Sequence, residues 1–91
     1  MNDKIFIVCI ELNTKSAIMR FENSLIGKDM PFKIIDGTYG IRADYTATSS
    51  MIRDIITSIF GNQCVTMVLK AGLDVSWKLL PEAEAWMKEN L

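Results

Sequence analysis

The sequence contains no histidine, only two cysteines and two prolines, and no excess of either charge. Without histidine it lacks the commonest general base and the commonest zinc ligand, which excludes histidine-dependent triad hydrolysis and histidine-containing metal sites. Ten Lys and Arg against eleven Asp and Glu give a formal net charge of −1. This balance argues against broad, charge-driven binding of nucleic acid, but it does not exclude a local basic patch.

The sequence also shows no long apolar stretch and no targeting signal. No apolar run reaches the roughly 20 residues of a membrane-spanning helix. The opening MNDKIFIVCIEL has neither the basic start nor the small-residue cleavage site of a secretion signal. Cys9 and Cys64 are isolated and form no CxxC pattern, so we expect reduced, buried thiols in a cytoplasmic protein.

The length and composition are those of one small folded domain. The 91 residues are 49% hydrophobic and 23% charged, and we expect a single domain over residues 1–91. A chain this short has a thin core, so an interface with a second copy is a natural supplement.

The first half of the chain predicts a strand, a helix and a hairpin. The first strand is apolar on both faces, which places it inside its sheet. Thr14 caps a helix of about three turns that Gly27 ends, and Asp36-Gly37 is the dipeptide of a tight hairpin. The predicted strands are Lys4–Leu12, Phe32–Ile35 and Tyr39–Ala43.

The second half predicts a helix, a strand and a C-terminal extension. Several possible caps between Asp44 and Ser50 precede a helix that ends at Gly61. Pro81 suits the first position of the last helix. The predicted elements are a helix to Phe60, strands at Cys64–Lys70 and Val75–Leu79, and a helix at Glu82–Asn90.

This order of elements predicts an α+β fold, the ferredoxin-like βαββαβ sandwich with a C-terminal short strand and helix. Two helices then cover one face of a four-stranded antiparallel sheet. Because the first and fourth strands are apolar on both sides, we expect the other face to be covered by the extension, a second subunit or a ligand.

Glu11 and Arg42 are the candidate catalytic residues. Glu11 ends an apolar strand and could bind Mg²⁺ together with Glu11 of a second subunit, or it could be a solvated charge near a helix start. Arg42 could hold a phosphate bidentately or pair with Asp44 or Glu11, and the surface pair is the preferred interpretation.

The aromatic residues have alternative roles. Tyr39 and Tyr45 could stack on bases, but strand packing is the default interpretation because the aromatic and basic signatures of RNA-binding modules are missing. Trp77 and Trp86 could form an interface with a protein partner. We favour the alternative that both seal the open face of the sheet, within the subunit or across a dimer.

Four segments carry a resemblance to a known family: IFIVCIELN, DGTYGIRADYTATSSMIRDII, VTMVLKAG and VSWKLLPEAEAWMKENL. They resemble the SinR-like proteins, small ferredoxin-like relatives of the CRISPR-associated adaptation subunit and of VapD-type toxin ribonucleases. In these relatives the first strand ends in Tyr-Asp-Leu, whose Asp is the proposed metal ligand; here the stretch is Ile10-Glu11-Leu12. The resemblance implies a homodimer formed through the sheet.

We therefore expect a homodimeric binding or scaffolding protein without strong catalytic activity. One alternative is a Mg²⁺-dependent endonuclease or phosphodiesterase acting on RNA or DNA, with Glu11 holding the metal and Arg42 assisting the phosphate. Another is an accessory protein of a toxin or defence system that binds a protein partner through Trp77 and Trp86.

Overall fold

Four antiparallel strands and three helices make up the computed structural model, which describes residues 2–72 and 74–91. The strands are β1 (Lys4–Leu12), β2 (Phe32–Ile35), β3 (Thr38–Ala43) and β4 (Cys64–Lys70). The helices are α1 (Lys15–Glu22), α2 (Ser49–Phe60) and α3 (Pro81–Asn90), with a 3₁₀ turn at Gly61–Gln63. The predicted α+β class is confirmed.

The sheet has the order β2-β3-β1-β4, and all neighbouring strands are antiparallel. β1 lies inside the sheet, as its continuous apolar run predicts. Every residue of β1 from Lys4 to Ile10 is buried or half-buried. β2 and β4 are therefore the two edge strands.

The hydrophobic core lies between α1, α2 and one face of the sheet. Phe6 and Val8 of β1 point into it, together with Phe21 of α1 and Ile56 of α2, and all four side chains are almost completely buried. The alternation of β1 thus sends one set of side chains to the helices and the other set to the opposite face.

The ends of α2 and of the β2–β3 hairpin follow the predicted signals. Thr48 is the N-cap of α2, and its hydroxyl accepts a hydrogen bond from the amide of Met51 at 3.2 Å, which satisfies one of the free donors of the first turn. Gly37 has a φ of 77° in the hairpin, a conformation that glycine adopts without steric cost. Both features were predictable because they depend on neighbouring residues only.

The first helix is shorter than predicted. It ends at Glu22, and Leu25 is 72% exposed. The Asn23 side chain donates to the carbonyl of Met19 at 2.8 Å, and such polar side chains compete with continued helical hydrogen bonding. Gly27 has a different role from the predicted stop, because a Cβ there would collide with the main chain of Arg42.

The predicted strand at Val75–Leu79 is wrong. The structure describes residues 74–80 without regular secondary structure. Val75, Trp77 and Leu79 are half-buried and alternate with exposed neighbours, so the pattern was real. An alternating pattern reports that one side of an extended segment is buried; it does not report hydrogen bonding to a neighbouring strand.

Within residues 2–72 and 74–91, no helix has the length and apolar character needed to cross a membrane.

Candidate functional site

One half of the sheet face opposite α1 and α2 is uncovered. In the β1–β4 register, Leu69 lies opposite Ile7 and Met67 lies opposite Cys9, and Val65 follows on β4. Val65 is 73% exposed, Met67 58% and Leu69 42%, while Ile7 and Cys9 are half-buried. We call these five residues the apolar strip. Scattered exposed apolar side chains are ordinary, but a contiguous row indicates an interaction surface.

Helix α3 covers the other half of the same face. The indole of Trp86 stacks on the ring of Phe32, with centroids 5.2 Å apart and planes 8° apart. A Cβ on Gly40 would collide with the same indole. Gly40 lies in the middle of β3. It is glycine because the Trp86 ring rests directly on the backbone.

The structure shows a packing role within the subunit for Trp86. Trp86 contacts the sheet as just described, which agrees with the preferred interpretation that it seals the open face. Trp77 is half-buried and lines a cleft with Ile5 and Lys70. Their proposed role in binding a protein partner stays a hypothesis.

Glu11 lies at one end of the apolar strip. It is exposed and stands opposite Val65 in the β1–β4 register. Across residues 2–72 and 74–91 it forms no ion pair. No group of three or more Cys, Asp or Glu side chains that could hold a metal ion occurs among the described residues.

Arg42 lies at the opposite end of the sheet. Its guanidinium forms ion pairs with Asp3 at 3.1 Å and Asp29 at 2.8 Å. Among the described residues, Arg42 forms no ion pair with the expected partners Asp44 and Glu11; the Asp44 carboxylate accepts hydrogen bonds from Thr46. This places Arg42 in a structural cluster that joins the N-terminal segment to the α1–β2 connection.

Glu11 and Arg42 do not form one site within a subunit. Arg42 stands opposite Ile5, six residues before Glu11 on β1. At about 3.3 Å per residue this separates the two side chains by roughly 20 Å along the sheet. A joint role of Glu11 and Arg42 on one phosphate would require groups from two different molecules.

Tyr39 is buried in the core face and is not free to stack on a base. Its hydroxyl donates to a carboxylate oxygen of Glu22 at 2.5 Å, and its ring meets Phe21 edge-on at 4.9 Å. Burial, reinforced by the Glu22 carboxylate, raises the pKa of Tyr39 well above its usual value of 10.0. Tyr45 is 45% exposed and lies outside the strands.

Comparisons with protein-family models, with curated proteins and with solved structures find no match to this chain. The resemblance to the SinR-like proteins therefore stays a prediction from the sequence. The candidate site must be judged on its own geometry, and its main feature is the apolar strip beside an open strand edge.

Proposed function

We propose that this protein is a homodimeric, ferredoxin-like binding or scaffolding module of the SinR-like kind, acting in the cytoplasm without strong catalytic activity. The observation that supports it is the apolar strip along β4 and β1. Exposed Val65, Met67 and Leu69 form an apolar row on the side of the sheet that α3 leaves uncovered. A surface of this kind is typical of a protein interface.

The order of elements supports the ferredoxin-like part of the proposal. Two units of strand, helix and strand precede the extension, and β1 lies between β3 and β4. A split βαβ pair with both crossover helices on one face would have this strand order, which supports the proposal. The second face of the sheet is left free for other elements, and α3 covers only part of that face.

The experiment is a mass measurement by light scattering on the protein and two matched variants. We expect the protein to have twice the 10.3 kDa chain mass and Met67→Lys to be a monomer, because the dimer would bring two like charges close together on the apolar strip. Ile35→Lys is the control, since Ile35 is 55% exposed but lies on β2. A monomeric protein at micromolar concentration would contradict the proposal.

A Mg²⁺-dependent endonuclease is the second candidate function, and it is favoured by Glu11, which is exposed and forms no ion pair with any other residue that the structure describes. One or two carboxylates are enough to hold Mg²⁺, which keeps several of its waters. The test is cleavage of labelled RNA and DNA with Mg²⁺ or Mn²⁺, with Glu11→Ala beside the protein and Glu89→Ala as an exposed control. Cleavage that survives Glu11→Ala removes Glu11 from the chemistry.

A further inference from the structure

We propose that two copies of the chain join edge to edge through β4, antiparallel and in register, with a two-fold axis between the two Met67 residues. The four-stranded sheet of each copy then continues into an eight-stranded sheet. This inference rests on the proposed homodimer and specifies its geometry. The partner is therefore a second copy of this chain.

The backbone hydrogen bonds show which groups of β4 face outward. The amide of Ala71 donates to the carbonyl of Ile5 at 2.8 Å. In an antiparallel pair, hydrogen-bonded residues alternate with non-hydrogen-bonded ones, so the odd-numbered residues of β4 direct their backbone groups to β1. The even-numbered residues, Thr66 and Val68 in the middle of the strand, direct theirs to the open edge.

This alternation restricts the register of a symmetric pair. An even-numbered residue must lie opposite an even-numbered residue of the second copy, so that both contribute backbone donors and acceptors. β4 has seven residues, and only an axis at its central residue, Met67, pairs all seven. Thr66 then lies opposite Val68 of the second copy, and the two Met67 residues form a non-hydrogen-bonded pair.

The side chains fit the same register. Val65 lies opposite Leu69 of the second copy and Met67 opposite Met67, so exposed apolar groups meet one another on the uncovered face. Lys70 is the charged residue of β4 and falls at the end of the pair. The two Lys70 side chains are about six residues, roughly 20 Å, apart along the strands, which is beyond the Debye length of about 10 Å.

The other edge of the sheet is protected against such pairing. β2 has four residues, its register with β3 shifts between Lys33 and Ile35, and Lys33 is charged. Short length, an irregular register and lysine are the features that prevent edge-to-edge association. β4 is longer, and its pairing with β1 is regular over all seven residues.

The geometry has a consequence for Glu11. Three strand spacings of about 4.8 Å separate the two copies of β1, and the antiparallel register displaces the two Glu11 residues further along the strands. The two carboxylates are then roughly 20 Å apart, too far to share one Mg²⁺ ion. Stacking of two sheets face to face would place them differently, so the two dimer geometries are distinguishable.

The test is disulfide formation in a background that carries Cys9→Ala and Cys64→Ala. Cys9 must be removed because it lies opposite position 67 in the same chain. In the proposed register, Met67→Cys places the two Cα atoms about 4.5 Å apart, within the range of a disulfide. Leu69→Cys is the matched control, because its two copies lie about 13 Å apart along the strands.

We expect rapid covalent dimers from Met67→Cys under mild oxidation and at least tenfold slower ones from Leu69→Cys. A mixture of Val65→Cys and Leu69→Cys chains should form the mixed dimer rapidly. Two outcomes would overturn the edge geometry alone. One is equal rates for Met67→Cys and Leu69→Cys. The other is the absence of a covalent dimer when light scattering still gives the dimer mass for the background protein. A monomeric background protein would overturn the dimer itself.

Discussion

The two halves of the open sheet face differ in what covers them, although both are apolar. Over β2 and β3, Gly40 leaves the backbone bare and Trp86 rests on it. Over β1 and β4, Met67 and Val65 project from the sheet and remain exposed. Because Gly40 has no side chain, α3 can dock on β3 there. The exposed side chains of β4 instead form a surface for another molecule.

The two edge strands of the sheet also differ in how well they are protected against association. β2 combines four residues, an irregular register and a lysine, whereas β4 has seven regularly paired residues and an apolar outer face. Edge strands that are long and apolar associate unless something blocks them. The half of the protein with a covered face therefore also has the protected edge.

The largest expected effect comes from removing the Trp86 indole, which covers the half of the sheet face over β2 and β3. Trp86→Ala should lower the free energy of unfolding by about 3 kcal/mol, because it empties the space above Gly40. Val65→Ala, on the uncovered half, should cost under about 1 kcal/mol. Both are measured by urea denaturation in the Met67→Lys background, where dimerisation does not contribute. Equal losses would mean that the two halves are covered alike.

A smaller loss is expected when the docking place itself is filled. Gly40→Ala should lower the free energy of unfolding by about 1–3 kcal/mol, because its Cβ forces the Trp86 indole off the sheet. Gly72→Ala is the control, since a Cβ there meets no atom within 4 Å. A change in Trp86 fluorescence that accompanies the loss of stability would locate the effect at α3. An unchanged free energy of unfolding would contradict the importance of this contact.

The covered core should respond to alkaline pH through Tyr39. The pKa of Tyr39 is raised in the folded state, so its contribution to stability is complete below about pH 10, the pKa of an unfolded tyrosine, and is lost as the pH rises above that value. Tyr39→Phe should flatten this alkaline decline, and Tyr45→Phe should not. A decline that persists unchanged in Tyr39→Phe would assign it to other groups.

The smallest effect is expected at the protected edge. Lys33 and Asp36 form an exposed ion pair at 2.8 Å, and solvent screens the attraction between exposed charges so that such pairs add little to stability. Lys33→Ala should therefore leave both the free energy of unfolding and the molecular mass unchanged within the error of the measurements. Asp36→Asn should give the same result. A larger loss in either variant would show that this pair stabilises the hairpin.

Local chemistry was the predictable part of the fold. The interior position of β1, the cap at Thr48 and the Asp36-Gly37 turn each depend on residues close in sequence. The end of α1 was missed because the side chains of Asn23 and Ser24 donate hydrogen bonds to the carbonyls of Met19 and Arg20 and compete with continued helical bonding. Arg42 was given the wrong partners because Asp3 and Asp29 are distant from it along the chain.

The sequence by itself determined the four strands of the sheet, the three helices, the α+β class and the apolar character of both faces of β1 and β4, since periodicity and caps act within a few residues. Only the tertiary structure decided that Gly40 serves as the seat of Trp86, that the extension contributes no strand, and that Glu11 and Arg42 lie at opposite ends of the sheet. These features depend on which strands become neighbours, and strand pairing is fixed by contacts between residues far apart in the chain.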